Sequence, residues 1–220
     1  MGSEGPPAVS IHVTGFKKFH GVAENPAEWI VRNLEEFLKK EEKKNEAVLN
    51  GLCSCNVLET AGDGALTSLY QLLELPLSFP DINNGQRVIW VHFGVNGGAN
   101  KFAIECQAVN EATFRCPDEM GWQPQKIPIV PEDGSLSHVR ETSLPAAEIV
   151  EILVDKGYDV TLSDDAGRFV CNYVYYHSLR YGGLRGFKSL FVHVPLFTKI
   201  DRETQMHFAA SLLEVLTSIC

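Results

Sequence analysis

Two apolar runs of strand length restrict the fold of this chain more than any other feature. Residues 88–93 (VIWVHF) are almost continuously apolar, and residues 187–194 (FKSLFVHV) are similar and are followed by Pro195. Such runs are typical of central strands covered on both faces. Because they lie among alternating strand and helix patterns, they predict an α/β fold. We expect a single-domain three-layer α/β/α sandwich with a mainly parallel, twisted central sheet.

The remaining elements follow from periodicity and turn residues. The other predicted strands cover residues 9–16, 52–59, 102–109 and 158–162, and the predicted helices cover 25–38, 65–73, 145–155, about 170–180 and 203–217. Gly182 and Gly183 are expected to end the fourth helix. Residues 110–142 have few periodic signals and predict a functional excursion with short strands.

The segments outside these elements indicate one domain. Residues 1–8 are expected to be a flexible tail, which leaves 9–220 as a single domain. Residues 76–86, rich in Pro, Asn and Gly, predict a surface connection. The charged run at 39–44 is interpreted as a solvated helix end or loop.

Charge and cysteine usage exclude several functional classes. The net charge of −9 argues against a nucleic acid or an anionic membrane as the main partner. Neither a secretory signal nor a membrane-spanning run is recognisable, so the expected location is cytoplasmic. Cys53 and Cys55 form a C-x-C pair without a second pair at zinc spacing, so all six cysteines are interpreted as reduced thiols and no metal or cofactor is expected.

One cysteine lies where a nucleophile would be activated. Residues 163–170 (SDDAGRFV) form a polar turn that passes into an apolar, aromatic-rich run, which predicts a helix start just before Cys171. A thiol in the first turns of a helix meets the positive end of the helix dipole, which favours the thiolate. The alternative is that Cys171 is a small buried apolar residue.

A cysteine nucleophile needs a base, and the base needs an orienting group. His193 lies close to the carboxyl end of the last predicted strand, where sites of parallel sheets gather, and it is either this base or a core residue. His92 is a competing base on another strand. Glu105 is an acid in an apolar strand, so it is either an edge-strand surface residue or a buried carboxylate that requires a partner.

Five segments span nearly the whole chain: VTGFKKFHG with Asn25-Pro26, HFGVNGG with IECQAVN, FRCPD, DDAGRFVCN and FVHVP. In this order they resemble the pyroglutamyl-peptidase I (pyrrolidone-carboxylate peptidase) family of cysteine peptidases. The resemblance implies an exopeptidase that removes N-terminal pyroglutamyl residues from peptides through a thioester acyl-enzyme.

The family's site residues carry over onto matching positions of this sequence. The resemblance implies a Glu105, Cys171, His193 triad and an oxyanion role for Arg115. It also implies a pyroglutamate pocket lined by Phe16, Phe19, Val95, Phe169 and Val170.

The sequence also departs from the family pattern. Many bacterial members have Gln at Val95 and Ile at Cys116, which affects fine specificity. The additional charged run and the longer excursion leave open whether the chain forms a homo-oligomer. Two other functions remain as alternatives: a catalytically silent pyroglutamyl-peptide-binding homologue, and a nucleoside phosphorylase-like hydrolase using Gly94 and the glycines after it.

Overall fold

The computed structural model describes residues 9–40, 42–74 and 87–219. The predicted tail at 1–8 and the predicted connection at 76–86 lie outside the described residues. Of the charged run at 39–44, Lys39 and Lys40 form the last turn of the first helix. The side chains of the rest of that run also lie outside the described part.

Strands and helices alternate along the chain as the sequence predicts. The elements are β1 (Val9–Phe16), α1 (Pro26–Lys40), α2 (Glu42–Gly51), β2 (Leu52–Leu58), α3 (Asp63–Glu74), β3 (Arg87–Val95), β4 (Phe102–Glu105), β5 (Gln107–Val109), β6 (Val139–Glu141), α4 (Ala146–Asp155), β7 (Val160–Ser163), α5 (Val170–Arg185), β8 (Lys188–Val194) and α6 (Arg202–Ile219). Apart from a 3₁₀ turn at Pro131–Asp133 and β6, the excursion at 110–142 is irregular in structure.

The central sheet has six strands in the order β2-β1-β3-β8-β4-β7. All neighbouring strands are parallel except β4 and β8, which are antiparallel. The predicted mainly parallel sheet is therefore confirmed, and the two apolar runs form β3 and β8, the adjacent strands at its centre.

Helices cover both faces of the sheet and complete the predicted three layers. Helices α1, α4 and α6 pack on one face, which we call the far face, together with apolar residues of β1, β3 and β8. Helices α3 and α5 pack on the opposite face, which we call the site face, against Phe16, Trp90 and Phe191.

The prediction of a single strand at 102–109 is wrong, because the structure divides this segment into two strands of separate sheets. The backbone N–H of Cys106 donates to Ser163 O at 2.7 Å, whereas Cys106 O accepts from Thr142 N at 2.9 Å. Since these bonds join two different segments, the chain turns at Cys106. β4 therefore ends in the central sheet, and β5 pairs with β6.

Helix α5 continues beyond the end that the sequence predicts at Gly182 and Gly183. A Cβ atom on Gly182 would lie 2.7 Å from Phe187 O, so this glycine permits close packing within a continuing helix. The helix ends instead at Gly186, whose φ of +81° is readily adopted by glycine. Helix α2 had no predicted counterpart.

No helix in the described ranges is both long enough and apolar enough to cross a membrane.

Candidate active site

The parallel strands β1, β3 and β8 bring three predicted site residues to one edge of the sheet. Phe16 ends β1, Val95 ends β3, and His193 lies one residue before the end of β8. Gly94 of β3 is in register with His193. The site thus forms at the carboxyl ends of these strands, where sites of open α/β sheets gather.

Cys171 is the second residue of α5. Its backbone N–H is among the first four of the helix, so it has no partner within the helix and points towards the positive end of the helix dipole. Gly94 allows the thiol to approach β3, because a Cβ atom on Gly94 would lie only 2.9 Å from Cys171 Sγ and 2.7 Å from Phe191 Cζ. A larger residue at position 94 would displace the thiol or the Phe191 ring.

Glu105 and His193 form a buried pair. His193 Nδ1 donates to Glu105 Oε1 at 2.7 Å, and the two residues are 2% and 6% exposed. Glu105 is in register with Phe191 on antiparallel β8, so it reaches His193 diagonally across the strand pair. The surface-residue alternative for Glu105 is therefore wrong, because β4 lies between β8 and β7 rather than at the edge.

The environment of His193 favours its protonated form. Burial is the largest influence and lowers the pKa of His193, but the hydrogen bond and charge of Cys171, followed by those of Glu105, raise it to about 10. Because Nδ1 is engaged by the carboxylate, Nε2 is the nitrogen left for the thiol. The three side chains can therefore hold an imidazolium between a thiolate and a carboxylate.

The competing base, His92, is engaged elsewhere. Its Nδ1 lies 2.6 Å from Thr14 Oγ1 and its Nε2 lies 2.8 Å from Ser178 Oγ. It is fully buried, and burial lowers its pKa to about 3. With both nitrogens occupied, His92 cannot take a proton from Cys171 in this arrangement.

A cavity of about 440 Å³ opens at this edge of the sheet. Its lining includes eight of the predicted site residues: Phe16, Phe19, Val95, Arg115, Phe169, Val170, Cys171 and His193. Glu105, the ninth, lies behind His193 and does not line the cavity. Phe16 is buried in the site-face core, whereas Phe19 is only half-buried.

The excursion supplies one wall of the cavity. The guanidinium of Arg115 is exposed and lies 6.0 Å from the centre of the Phe169 ring. The turn that follows is held by the buried carboxylate of Asp118, which accepts the backbone N–H groups of Gly62, Met120 and Trp122 at 2.9–3.0 Å. The excursion is thereby bonded to the loop between β2 and α3.

Sequence reasoning missed several lining residues, among them Asn25, Thr60, Thr113, Asp165 and Arg168. Asn25 lies at the start of the first predicted helix, and its Oδ1 accepts from Ala27 N at 3.0 Å. Its Nδ2 also donates to Lys17 O at 2.9 Å, and Thr60 Oγ1 donates to the same oxygen at 2.6 Å. No sequence pattern indicates that two distant side chains share one carbonyl.

In the part of the chain that the structure describes, no group of three or more His, Cys, Asp and Glu side chains could hold a metal ion.

Comparison with known proteins gives a consistent result. A family model described as pyroglutamyl peptidase matches residues 79–212. A pyrrolidone-carboxylate peptidase of Enterococcus faecalis is 32% identical over 217 residues, which cover 95% of this chain and 88% of the relative. One of Pyrococcus furiosus is 32% identical over 189 residues, which cover 85% and 81%. The solved pyrrolidone carboxyl peptidase of Thermococcus litoralis superimposes with a TM-score of 0.75 at 27% identity, covering 96% of this chain and 93% of that one.

Proposed function

The chain belongs to the pyroglutamyl peptidase family, and from this premise we propose that Glu105, Cys171 and His193 are the triad with which it removes N-terminal pyroglutamyl residues from peptides. Membership of the family makes the protein a cysteine-type exopeptidase. The observation that carries the proposed triad is the 2.7 Å bond between His193 Nδ1 and Glu105 Oε1, directly behind the cavity whose lining includes both His193 and Cys171.

The first step forms a thioester. His193 holds the proton of Cys171, and the thiolate attacks the carbonyl carbon of the bond between the pyroglutamyl group and the next residue. His193 then protonates the departing amine as the C–N bond breaks. Glu105 keeps the imidazole in the orientation that leaves Nε2 towards the thiol and supports its positive charge.

Arg115 and the backbone N–H of Cys171 are the proposed oxyanion donors. The N–H has no partner within α5, and the exposed guanidinium lines the same cavity. One well-placed oxyanion donor contributes about 3–4 kcal/mol to catalysis in enzymes generally.

The second step releases the product. With the peptide amine gone, water occupies its place, and His193 accepts a proton from the water as its oxygen attacks the thioester carbonyl. The C–S bond breaks, pyroglutamate leaves, and the proton on His193 restores the starting pair with Cys171.

The pocket suits a neutral lactam ring. Phe16, Phe19, Val95, Phe169 and Val170 offer apolar surface for the ring.

A charged N-terminus would lose its hydration in this pocket without gaining a partner. Asp165 is the one acidic residue among the described residues lining the cavity, and its carboxylate binds Arg168 at 2.7 Å. The proposed substrates are therefore peptides whose N-terminus is already cyclised, bound by residues 9–220 as one catalytic domain. The need for a reduced thiol fits the predicted cytoplasmic location, which stays a prediction.

The decisive test compares three fluorogenic amides: pyroglutamyl, prolyl and alanyl. We expect turnover of the pyroglutamyl amide alone, because prolyl offers a ring of similar size but carries a charged amine. Cys171→Ala is the control and should be inactive. Comparable cleavage of the prolyl amide, or activity that survives Cys171→Ala, would contradict the proposal, whereas binding without turnover would support the silent alternative. The nucleoside phosphorylase-like alternative is wrong, because the family and its relatives are peptidases.

A further inference from the structure

A row of four buried polar side chains lies beneath the active site. Thr14 Oγ1 is 2.6 Å from His92 Nδ1, His92 Nε2 is 2.8 Å from Ser178 Oγ, and Ser178 Oγ is 2.8 Å from Ser189 Oγ. Their exposed fractions are at most 2%. We call these four residues the polar row.

Two members of the polar row support the cavity from β1 and β3. Thr14 precedes Phe16 by two residues, and His92 precedes Gly94 by two residues. Residues two apart in a strand point to the same face, so each polar side chain lies one step below a residue that forms the site.

The other two members lie on the elements that carry the nucleophile and the base. Ser178 follows Cys171 by seven residues, which is about two turns of α5, so both face the sheet. Ser189 precedes His193 by four residues on β8, so both point to the site face.

The bond between Ser178 and Ser189 therefore joins the nucleophile's helix to the base's strand directly. The bond between Ser178 and His92 joins that helix to the strand of Gly94.

His92 completes this row as a neutral ring. Burial lowers the pKa of His92 to about 3, so it is uncharged at ordinary pH. A neutral imidazole donates at one nitrogen and accepts at the other, and the hydroxyl groups on either side can rotate to match. The ring thus bridges two hydroxyl groups and takes no part in the chemistry itself.

A polar row is a costly way to fill space in a core. Apolar residues would fill the same volume without desolvating polar groups, as they do on the far face. What hydrogen bonds add is a fixed distance and direction between the elements that they join, and a fully satisfied network favours a single arrangement.

We propose that the polar row is a positioning device for catalysis, with His92 and Ser178 as positioning residues that set the separation of Cys171 from His193. Neither residue lines the cavity. The inference rests on the proposed triad. It assigns to the polar row the role of holding Cys171 and His193 at a fixed separation.

Ser178→Ala is the primary test, because it removes one hydroxyl group and little volume. His92→Phe, which keeps a ring of similar size, is the second variant. For each we expect kcat for a pyroglutamyl amide to fall about 10- to 100-fold, the order of loss that a small misplacement of reacting groups produces. KM should change less than twofold for Ser178→Ala, since the lactam pocket is untouched. The rate of alkylation at Cys171, followed on its own peptide by mass spectrometry, should fall with kcat.

His177→Phe is the matched control. His177 is a buried histidine on the same helix, and burial lowers its pKa to about 4. Its Nδ1, however, bonds Tyr70 OH at 2.8 Å, so it joins α5 to α3 rather than to the sheet. We expect His177→Phe to lower the melting temperature while kcat and alkylation stay near wild type.

Two results would overturn the inference. One is a folded Ser178→Ala protein whose kcat and alkylation rate lie within twofold of wild type. This result overturns the inference even if the His92→Phe protein does not fold. The other is a loss of kcat in His177→Phe equal to that in the polar-row variants. It would show that the loss of kcat reflects general stability only. Wild-type protein without turnover, or an active Cys171→Ala variant, would overturn the proposed triad itself, so the two failures are distinguishable.

Discussion

The two faces of the central sheet are built from different chemistry although the same strands supply both. On the far face, β1, β3 and β8 present the apolar residues Ile11, Val13, Ile89, Val91, Leu190 and Val192. On the site face, the same strands present the buried polar residues Thr14, His92, Ser189 and His193 alongside aromatic rings. One strand pattern thus provides an apolar core and a hydrogen-bonded layer.

This difference separates stability from arrangement. Apolar side chains stabilise roughly in proportion to the area they bury and tolerate exchange for others of similar volume. Buried polar side chains must find specific partners, so they tolerate few alternatives. We therefore expect changes on the far face to alter stability and changes on the site face to alter turnover.

Two histidines of the site face show that the partner decides the charge. His92 and His193 lie on the neighbouring strands β3 and β8, and both are buried. Burial lowers the pKa of both, to about 3 for His92, whose partners are hydroxyl groups. For His193 the thiol and carboxylate partners outweigh burial and raise the pKa to about 10.

The largest effect is expected at the nucleophile. Cys171→Ala should reduce kcat for a pyroglutamyl amide by about 10⁵- to 10⁶-fold, the scale on which other covalent peptidases lose rate without their nucleophile. The melting temperature should change little, because the thiol is needed for chemistry. Cys53→Ala, at an exposed thiol on β2, is the control and should keep wild-type turnover. A Cys171→Ala protein with near wild-type kcat would contradict the catalytic role assigned to the site face.

The base and its orienting group should be ranked next. His193→Ala should lose nearly all activity, whereas Glu105→Gln should lose about 10²- to 10⁴-fold and keep a measurable rate, because it changes the orientation and charge support of the imidazole only. Steady-state kinetics on both variants give the order. If Glu105→Gln were the less active of the two, the carboxylate would have a more direct role than positioning.

The lactam pocket should show itself in KM. Phe19→Ala is expected to raise KM about 10- to 100-fold, from the loss of about 1.5–3 kcal/mol of apolar contact with the substrate ring. Phe19 is half-buried at the cavity, so its truncation should leave the melting temperature and the alkylation of Cys171 nearly unchanged. Phe16→Ala is the comparison, and it should also lower the melting temperature because Phe16 belongs to the site-face core. Unchanged KM in Phe19→Ala would place the pocket elsewhere.

The smallest effect on turnover is expected on the far face. Leu212→Ala, at a fully buried position of α6, should lower the free energy of unfolding by about 2–5 kcal/mol, as for other large-to-small core changes. Denaturant unfolding measures this loss. Below the melting temperature kcat should stay within twofold of wild type. A fall in kcat comparable to that of Glu105→Gln would contradict the assignment of stability to the far face and turnover to the site face.

Local patterns allowed much of the fold to be predicted. Alternation of apolar and polar residues predicts β1 with its observed limits, Val9–Phe16, and the continuous apolar runs predict the two central strands. The end of α5 could not be predicted, because Gly182 serves a contact with Phe187 that exists only after folding. The break at Cys106 likewise depends on bonds to two distant segments.

The site was predictable where it consists of ordered motifs and not where it consists of long-range contacts. The motifs that contain Glu105, Cys171 and His193 point to residues that the fold brings together. The burial of Glu105 depends on the order of strands in the sheet, which no local pattern encodes. The polar row was equally hidden, since Thr14, Ser178 and Ser189 are ordinary hydroxyl residues until the strands pair.

The most direct measurement of the central claim is the position of the covalent intermediate. Wild-type protein turning over an activated pyroglutamyl ester, whose acylation outpaces hydrolysis of the thioester, can be quenched in acid and mapped by peptide mass spectrometry. We predict a pyroglutamyl group on Cys171 and no such adduct in Cys171→Ala. Turnover with the adduct on any other residue, or turnover without a covalent adduct under conditions in which acylation is fast, would contradict the account.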